Sequence, residues 1–145
     1  MKLSQDAIQS RLTRWPVARL ATVGADGRPT VVPIVFAHAR GCLWSPVDGK
    51  PKSGRELARV RNVRERPDVS LLLDEYSDDW MRLWWIRIDA TARIVREGSD
   101  VVAALDALRA KYPQYQQTPI LQDPPTLLAF APTRFRSWCA GPLAP

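Results

Sequence analysis

Histidine and cysteine are scarce in this sequence, which limits the chemistry to be expected of it. The 145 residues include one histidine, His38, and two cysteines, Cys42 and Cys139, which lie far apart and form no CxxC pair. A structural zinc site draws on several such residues at close spacing, so no metal site is expected. Two widely separated cysteines also favour reduced thiols with structural roles, and a cytoplasmic protein, over a disulfide-stabilised secreted one.

Long hydrophobic runs are also missing. No apolar stretch approaches the length of a membrane span, and the residues from Met1 to Ser4 do not look like the start of a signal peptide. The chain is nevertheless 46% hydrophobic, with six tryptophans and 13 prolines, which is typical of a globular protein rather than a disordered one. Its length fits a single domain, residues 1–145, that can bury a core without disulfides or metal.

Positive charge is concentrated in one stretch, Leu43 to Pro67. Seven Lys or Arg residues and two Glu residues fall between Lys50 and Arg66, which accounts for +5 of the net charge of +6. The sequence pI near 9.9 would suit a nucleic-acid-binding protein. Clustering at one loop and one helix, without interleaved exposed aromatic residues, fits a small anionic ligand better and argues against nucleic acid.

The same stretch predicts where that anion would bind. Ser53 and Glu56 have the spacing of a capping box at the start of a helix, where free backbone N–H groups attract an anion. Lys50, Lys52 and Arg55 crowd this end, although a helix dipole alone would favour acidic residues there. We therefore predict a phosphate site. The alternative is that the arginines, the later ones above all, form only the solvated face of an amphipathic helix.

The hydrophobic pattern predicts six strands and three helices. The predicted strands are Val17–Val23, Pro29–Phe36, Cys42–Ser45, Val69–Leu73, Leu83–Val95, and a last one made of Thr126–Ala131 and Arg134–Trp138 with a break near Pro132. A first helix would be capped by Ser4 and end at Trp15-Pro16. A third would be capped by Ser99, bury Val102, Leu105, Leu108 and Tyr112, and stop at Pro113. In the longest strand, period-2 alternation places Trp84 in the core and Trp85 on the opposite face.

This arrangement predicts a mainly β (α+β) fold, an antiparallel barrel with helices packed outside it. Three segments of the chain then resemble the pyridoxamine 5′-phosphate oxidase-like split-barrel superfamily. They read RLATVGADGRPTVVPIVF, LWSPVDGKPK and LARVRNVRERPDVSLLLDEYSDDWMRLWWIRIDATARIV. The DGKPK loop and the DDWMRLWW segment are most similar to its actinobacterial deazaflavin-dependent branch. The resemblance implies a six-stranded split β-barrel of the FMN-binding type, which forms homodimers with two cofactor sites between the barrels.

The resemblance also implies which residues form the cofactor site. The phosphate would be held at the end of the third strand and the start of the next helix, by Ser45, Lys50, Lys52, Ser53 and Arg55. The ring would lie along the second strand, at Thr30, Val31, Val32 and Pro33. Asn62 corresponds to a residue that supports the loop, and Trp80, with Arg82 and Trp138, corresponds to a contact from the partner subunit.

The function that this resemblance implies is hydride transfer from the deazaflavin coenzyme F-420 to a small conjugated acceptor. A deazaflavin carries hydride itself, so the protein needs no side-chain nucleophile or metal. This is consistent with the lack of a catalytic triad, a carboxylate pair at useful spacing or a GxGxxG loop. The alternatives are an FMN-binding member of the same superfamily and a non-catalytic cofactor carrier. Vitamin B6 oxidation is not expected, because the family's C-terminal Arg and His have no match.

Overall fold

The computed structural model describes residues 1–47, 56–119 and 125–144, and within them it contains three helices and seven strands. The helices are α1 (Gln5–Arg14), α2 (Ala58–Glu65) and α3 (Ser99–Lys111). The strands are β1 (Ala18–Val23), β2 (Pro29–Ile34), β3 (Ala37–Ala39), β4 (Cys42–Pro46), β5 (Asp68–Glu75), β6 (Trp84–Val95) and β7 (Leu127–Cys139). Short 3-10 turns cover Trp80–Arg82 and Pro113–Gln116.

The strands form one antiparallel sheet in the order β2-β1-β5-β6-β7-β4-β3. Its two end strands, β2 and β3, follow each other in the chain and are joined by only Val35 and Phe36. Ile34 and Ala37 therefore lie at most about 11 Å apart, so the sheet must curl until its edges approach each other. No ladder joins β2 to β3 in the described part of the chain. The sheet is thus a barrel that stays open along one seam.

The predicted number of strands was one too low. A single return strand was expected over Pro29–Phe36 and a turn over Ala37–Gly41, but the structure ends β2 at Ile34 and forms β3 from Ala37–Ala39. The turn between β3 and β4 is only Arg40-Gly41, and both residues have positive φ angles, 52° and 73°. Two such residues suffice for a tight hairpin, which leaves the preceding residues free to form a strand.

The alternation predicted for the longest strand is confirmed. Along β6 the inward residues are buried, from Trp84, which is 2% exposed, to Ala92, while Trp85 lies on the outward side. The last strand, predicted to break near Pro132, is instead continuous. Asp89 faces Arg134 and Ala90 faces Pro132, so a bulge at Thr133 absorbs the irregularity.

Helix α1 agrees with its prediction, since the Ser4 hydroxyl accepts a hydrogen bond from the Ala7 N–H at 3.1 Å. Helix α3 differs from its prediction in two respects. Gly98, with a φ of 118°, is the N-cap residue in place of Ser99. The buried face consists of Val101, Ala104 and Leu108, while Val102 is 60% exposed. The pattern favoured the larger valine-leucine face, whereas the small Ala104 lets the helix approach the sheet closely.

Helix α2 begins later than predicted. Its N-cap residue is Leu57, without a side-chain hydrogen bond, so the helix starts at Ala58 and not directly after Ser53. Val60, Asn62 and Val63 face inward and are buried, so α2 is an amphipathic helix. Within the described residues, no helix is both long and apolar enough to cross a membrane.

Candidate functional site

Asn62 is the polar centre of the region that the sequence analysis singled out. Its side chain is 5% exposed and is carried by α2 toward the β1–β2 hairpin. The Asn62 Nδ2 group donates to Thr22 Oγ1 at 3.0 Å and approaches Thr30 Oγ1 at 3.3 Å. The two threonine hydroxyls are themselves 3.0 Å apart. Helix α2 is therefore fastened to β2 through side-chain amide and hydroxyl groups.

The β1–β2 hairpin has a tight turn that lies next to Asn62 of this helix. The Gly24 N–H donates to the Arg28 carbonyl at 2.9 Å, and the turn closes through Gly27, whose φ is 81°. A Cβ atom on Gly24 would lie 3.0 Å from Asp26 Oδ1 and 3.6 Å from Asn62 Oδ1. A side chain at position 24 would require the Asp26 carboxylate to shift, because the first distance is shorter than most real Cβ contacts.

Strand β2 provides an accessible backbone edge. It lies at one end of the sheet and pairs with β1 alone in the described residues. Thr30 and Val32 share the inward side with Thr22, while Val31 (63% exposed) and Pro33 point outward. The unpaired edge of such a strand offers backbone N–H and C=O groups to a ligand. Its proline residues, Pro29 and Pro33, also hinder pairing with another strand.

Ser45 lies on a different strand from these residues. It is 2% exposed on β4, opposite Leu128 of β7, one residue before the strand ends at Pro46. No hydrogen bond within the described part of the chain connects it to Asn62 or Thr30. Four other predicted phosphate residues, Lys50, Lys52, Ser53 and Arg55, lie outside the described residues. Among the described residues, Ser45 is thus not joined to Asn62 or Thr30, and the predicted phosphate site as a whole stays a prediction.

Glu56 and Arg64 form an ion pair beside that basic segment. The hydrogen bond from Arg64 lowers the pKa of the Glu56 carboxyl, and the same bond raises the pKa of the Arg64 guanidinium. The predicted capping box is therefore wrong, because Glu56 precedes the helix and pairs with Arg64, the second-last residue of α2. Arg64 is also not simply a solvated cation.

Trp80 lies away from these residues, in the 3-10 turn between β5 and β6. The Asp79 carboxylate accepts a hydrogen bond from the Met81 N–H at 3.1 Å and fixes this turn. Trp80 is 69% exposed, and Tyr76 and Met81 are also largely exposed. The turn thus presents three large apolar side chains to the surroundings.

The sequence analysis missed Thr22 and Tyr112. Thr22 is 2% exposed, and its hydroxyl forms a hydrogen bond with the hydroxyl of Thr30 on β2. Thr22 takes the last inward position of β1, after the buried Ala18 and Leu20, and this alternation could have indicated a buried polar role. Tyr112 was predicted only as an apolar contact of α3. Its hydroxyl lies within 3.0 Å of the Phe36 N–H and 2.8 Å of the Pro16 carbonyl, which nothing in the local pattern indicates.

Comparison with known proteins identifies this architecture. Solved structures with the same fold include a conserved hypothetical protein of Mycobacterium tuberculosis, which is 23% identical with a TM-score of 0.72, over 95% of this chain and 86% of that one. HutZ, the haem storage protein of Vibrio cholerae, is 18% identical with a TM-score of 0.72, over 96% and 95%. An FAD-binding protein of Mesorhizobium loti is 18% identical with a TM-score of 0.69, over 94% and 93%.

No curated protein matches the sequence significantly. The family comparison is more specific, because the profile described as pyridoxamine 5′-phosphate oxidase matches residues 4–139, nearly the whole chain. The resemblance noted in the sequence is thereby confirmed at the level of the superfamily. This chain belongs to the pyridoxamine 5′-phosphate oxidase family.

Proposed function

We propose that this protein binds a flavin-type cofactor along β2 and uses it to transfer hydride to a small conjugated acceptor. Coenzyme F-420 is the preferred cofactor and FMN the alternative. The observation that carries the proposal is the edge strand β2. Its Thr30 hydroxyl accepts a hydrogen bond from the side-chain amide of the buried Asn62. Membership of a family named for an oxidase and a flavin-binding structural neighbour support the same chemistry.

The described residues fit the ring of such a cofactor. Strand β2 has an open backbone edge that can bond to the polar edge of a flavin-type ring, and exposed Val31 and Pro33 can contact its flat face. The network of Thr22, Thr30 and Asn62 keeps this edge in one position. Ser45 and the segment with Lys50, Lys52, Ser53 and Arg55 would hold the phosphate.

The bound cofactor would supply the hydride, which the side chains of this protein do not. The part of the protein would be to bind the phosphate, orient the ring against β2 and keep water away from the acceptor. Only the acceptor and the cofactor would change redox state, so no protein nucleophile is required. A carrier that binds the cofactor without turnover would need the same residues, and activity measurements separate the two.

The charge distribution favours coenzyme F-420 over FMN. Both carry a phosphate, but the deazaflavin has an additional anionic tail. The excess of +5 between Lys50 and Arg66 is more than one phosphate requires. We expect F-420 to bind more tightly than FMN at low salt, and this difference to shrink as salt is added.

A homodimer is part of the proposal. The outward side of the sheet holds Leu72, Trp85 and Trp138 around a shallow cavity of about 480 Å³. We name these three residues the apolar sheet patch. A second copy packed there would cover this surface, and Trp80 of each chain would then be a contact to the partner's site. Aromatic residues of this kind are enriched at the cores of interfaces.

Equilibrium titration with FMN and with F-420 tests the proposal. Lys50→Ala and Lys52→Ala should each weaken binding of the preferred cofactor about ten-fold or more, because each removes a charge-assisted hydrogen bond to phosphate. Arg109→Ala is the control, since Arg109 is exposed on α3 and pairs with Asp106. Arg64 is a poorer control, because it holds Glu56 beside the basic segment.

Two results would contradict the proposal. One is that neither cofactor binds the parent protein at micromolar concentration. The other is that the two lysine variants bind like the parent while the Arg109 variant does not. Tight binding together with no reoxidation of the reduced cofactor by quinones or conjugated enones would favour the carrier over the enzyme.

A further inference from the structure

A cavity of about 500 Å³ lies between α1, α3 and β3. Its walls are Thr13 and Arg14 at the end of α1, Ala37 and His38 of β3, and Lys111 with two alanines at the end of α3. None of these residues belongs to the predicted cofactor site or to the apolar sheet patch. The cavity is therefore separate from both, and the proposed dimer does not depend on it.

The amine of Lys111 is the reactive group in this cavity. Its Nζ lies 3.4 Å from the Leu12 carbonyl oxygen and 3.6 Å from the centre of the Phe36 ring. A neutral amine has two N–H groups, which these two neighbours can take, and its lone pair is then available to form a bond. Within the described residues no carboxylate forms an ion pair with Lys111, so no anion there stabilises the ammonium form.

Burial keeps part of this amine unprotonated near neutral pH. It lowers the pKa of Lys111 from its ordinary 10.5 to about 8, because the ammonium form loses hydration in the folded protein. At pH 7.5 roughly a quarter of the molecules would then hold a free amine, against about one in a thousand for an ordinary lysine. A lysine in such surroundings is suited to nucleophilic attack on a carbonyl group.

Two other titratable side chains face the cavity. His38 lies on β3, and its Nδ1 is 3.1 Å from Gln9 Nε2. Burial and, second, Lys111 lower the pKa of His38, so its ring is neutral at pH 7.5. Arg14 is exposed on α1, and its guanidinium is always protonated. The cavity therefore combines a permanent cation with a neutral nucleophile.

These two groups lie close enough to act on one small ligand. Leu12, whose carbonyl is next to the Lys111 amine, precedes Arg14 by only two residues on the same helix. Arginine binds carboxylate and phosphate groups through paired N–H bonds, whereas the amine attacks a carbonyl carbon. The volume is within the range of small-molecule sites. A small aldehyde that carries an anionic group meets both requirements.

We propose that this cavity is a covalent binding site for a small anionic aldehyde, which forms an imine with Lys111 and an ion pair with Arg14. The lone pair of Lys111 Nζ forms a bond to the aldehyde carbon, and a proton passes from the nitrogen to the carbonyl oxygen. That oxygen then leaves as water with the second amine hydrogen, and a C=N double bond remains. Nothing is oxidised or reduced, so the step needs neither the cofactor nor the proposed hydride transfer.

Reductive trapping with glyoxylate tests the proposal. Sodium cyanoborohydride converts the imine of glyoxylate into a stable carboxymethyl-lysine, and peptide mass spectrometry locates it. At pH 7.5 we expect Lys111 to be labelled at least about ten-fold faster than Lys2, an exposed lysine of the same chain. With propanal, a neutral aldehyde, the ratio of Lys111 to Lys2 labelling should be at least about five-fold lower, because Arg14 has no anion to bind.

Arg14→Gln should lower the Lys111-to-Lys2 ratio for glyoxylate about five-fold and leave the ratio for propanal unchanged. Arg109→Gln is the matched control, since Arg109 is an exposed arginine of α3 that pairs with Asp106 and does not line the cavity. It should leave both ratios unchanged.

Three results would overturn the proposal. The first is that Lys111 is labelled no faster than Lys2. The second is that glyoxylate and propanal give equal ratios, and the third is that Arg14→Gln and Arg109→Gln lower the glyoxylate ratio equally. In either of the last two cases no anion site lies beside the amine. FMN and F-420 titrations use unlabelled protein, so failure of the cofactor proposal is recognised separately.

Discussion

At the scale of single residues, the candidate site depends most on the buried amide of Asn62. The amide donates to Thr22 Oγ1 and lies within reach of Thr30 Oγ1, and its removal would leave Thr22 without this partner in the interior. Asn62→Ala should therefore lower the free energy of unfolding by about 1–3 kcal/mol. Urea denaturation measures the effect. Cofactor affinity should fall as well, because β2 loses its support.

Arg61→Ala is the control for this variant, since Arg61 is exposed at the preceding position of the same helix. It should change the unfolding free energy by less than about 0.5 kcal/mol. If Asn62→Ala unfolded at the same urea concentration as the parent, the hydroxyl–amide network would not hold β2 to α2.

Lys111 is a side chain whose pKa is lowered by folding. Its Nζ lies 3.6 Å from the centre of the Phe36 ring and 3.4 Å from the Leu12 carbonyl. Burial lowers the pKa of this ammonium from its ordinary 10.5 to about 8. Burial, and secondarily Lys111, also lowers the pKa of His38.

The pKa of Lys111 has a consequence for the pH dependence of stability. Between about pH 8 and 10.5 the unfolded chain holds a proton on Lys111 that the folded chain has released, so stability rises with pH in this window. Relative to Lys111→Met, the parent should gain on the order of 1–2 kcal/mol across it, less than the full pKa change implies because solvent still reaches the amine.

Urea midpoints of both proteins at pH 7.5, 9 and 10.5 would measure this gain, with values chosen around the two pKa limits. Ionisation of the nearby Tyr112 should contribute little below pH 10, because burial raises the pKa of that phenol. Parallel curves for parent and variant would show that Lys111 keeps an ordinary pKa in the folded protein.

At the scale of elements, the connection between β2 and β3 controls how the barrel curls. Phe36, in this connection, is fully buried, and its N–H donates to the Tyr112 hydroxyl at the end of α3. The same hydroxyl lies 2.9 Å from the Phe36 carbonyl and 2.8 Å from that of Pro16. One phenol therefore joins the end of α3 to the β2–β3 connection and to Pro16, two residues before β1.

Tyr112→Phe should destabilise the protein by about 1–3 kcal/mol, because it leaves the Phe36 N–H buried without an acceptor. Thermal and urea unfolding would detect this loss. Tyr76→Phe is the matched control, since Tyr76 is 74% exposed, and it should leave stability unchanged. A Tyr112→Phe variant as stable as the parent would mean that water replaces the phenol at the seam.

Elements whose pattern is local were predictable from the sequence. The long β6, the Ser4-capped α1 and the β1–β2 hairpin agree with their predictions because alternation, capping residues and turn residues specify them directly. Contacts between distant segments were not predictable. Strand β3 pairs through three residues only, and its preceding connection is fixed by Tyr112, 76 positions away.

The candidate site was predictable to a similar extent. The resemblance singled out Thr30 and Asn62, which the structure joins by a hydrogen bond. It did not indicate that Thr22 bonds to both of these residues, since a threonine in a strand is more often a surface residue. The capping box failed for a physical reason as well. In a capping box the Glu56 carboxylate would accept a hydrogen bond from the N-cap backbone, but here it pairs with Arg64 of α2 instead. A capping pattern read from the sequence alone does not show this competing ion pair.

At the scale of the whole molecule, the apolar sheet patch is the feature that an isolated chain leaves uncovered. Trp85 and Trp138 face each other across β6 and β7 and remain 36% and 39% exposed, with Leu72 beside them. Exposed tryptophans on the outer face of the sheet are costly to leave in water, because each can bury a large apolar area. We therefore expect the parent to sediment with twice the chain mass at micromolar concentration.

The variant Trp138→Glu should convert this dimer to a folded monomer, since it places two carboxylates in the centre of a symmetric interface, where burial of a charge costs several kcal/mol. Val102→Glu is the control, because Val102 is equally apolar and 60% exposed but lies on α3, and it should remain dimeric. Far-UV circular dichroism should show both variants folded. A parent that sediments as a monomer would contradict the proposed dimer. A dimer that survives Trp138→Glu but is lost in Val102→Glu would place the interface on the helical side of the barrel instead.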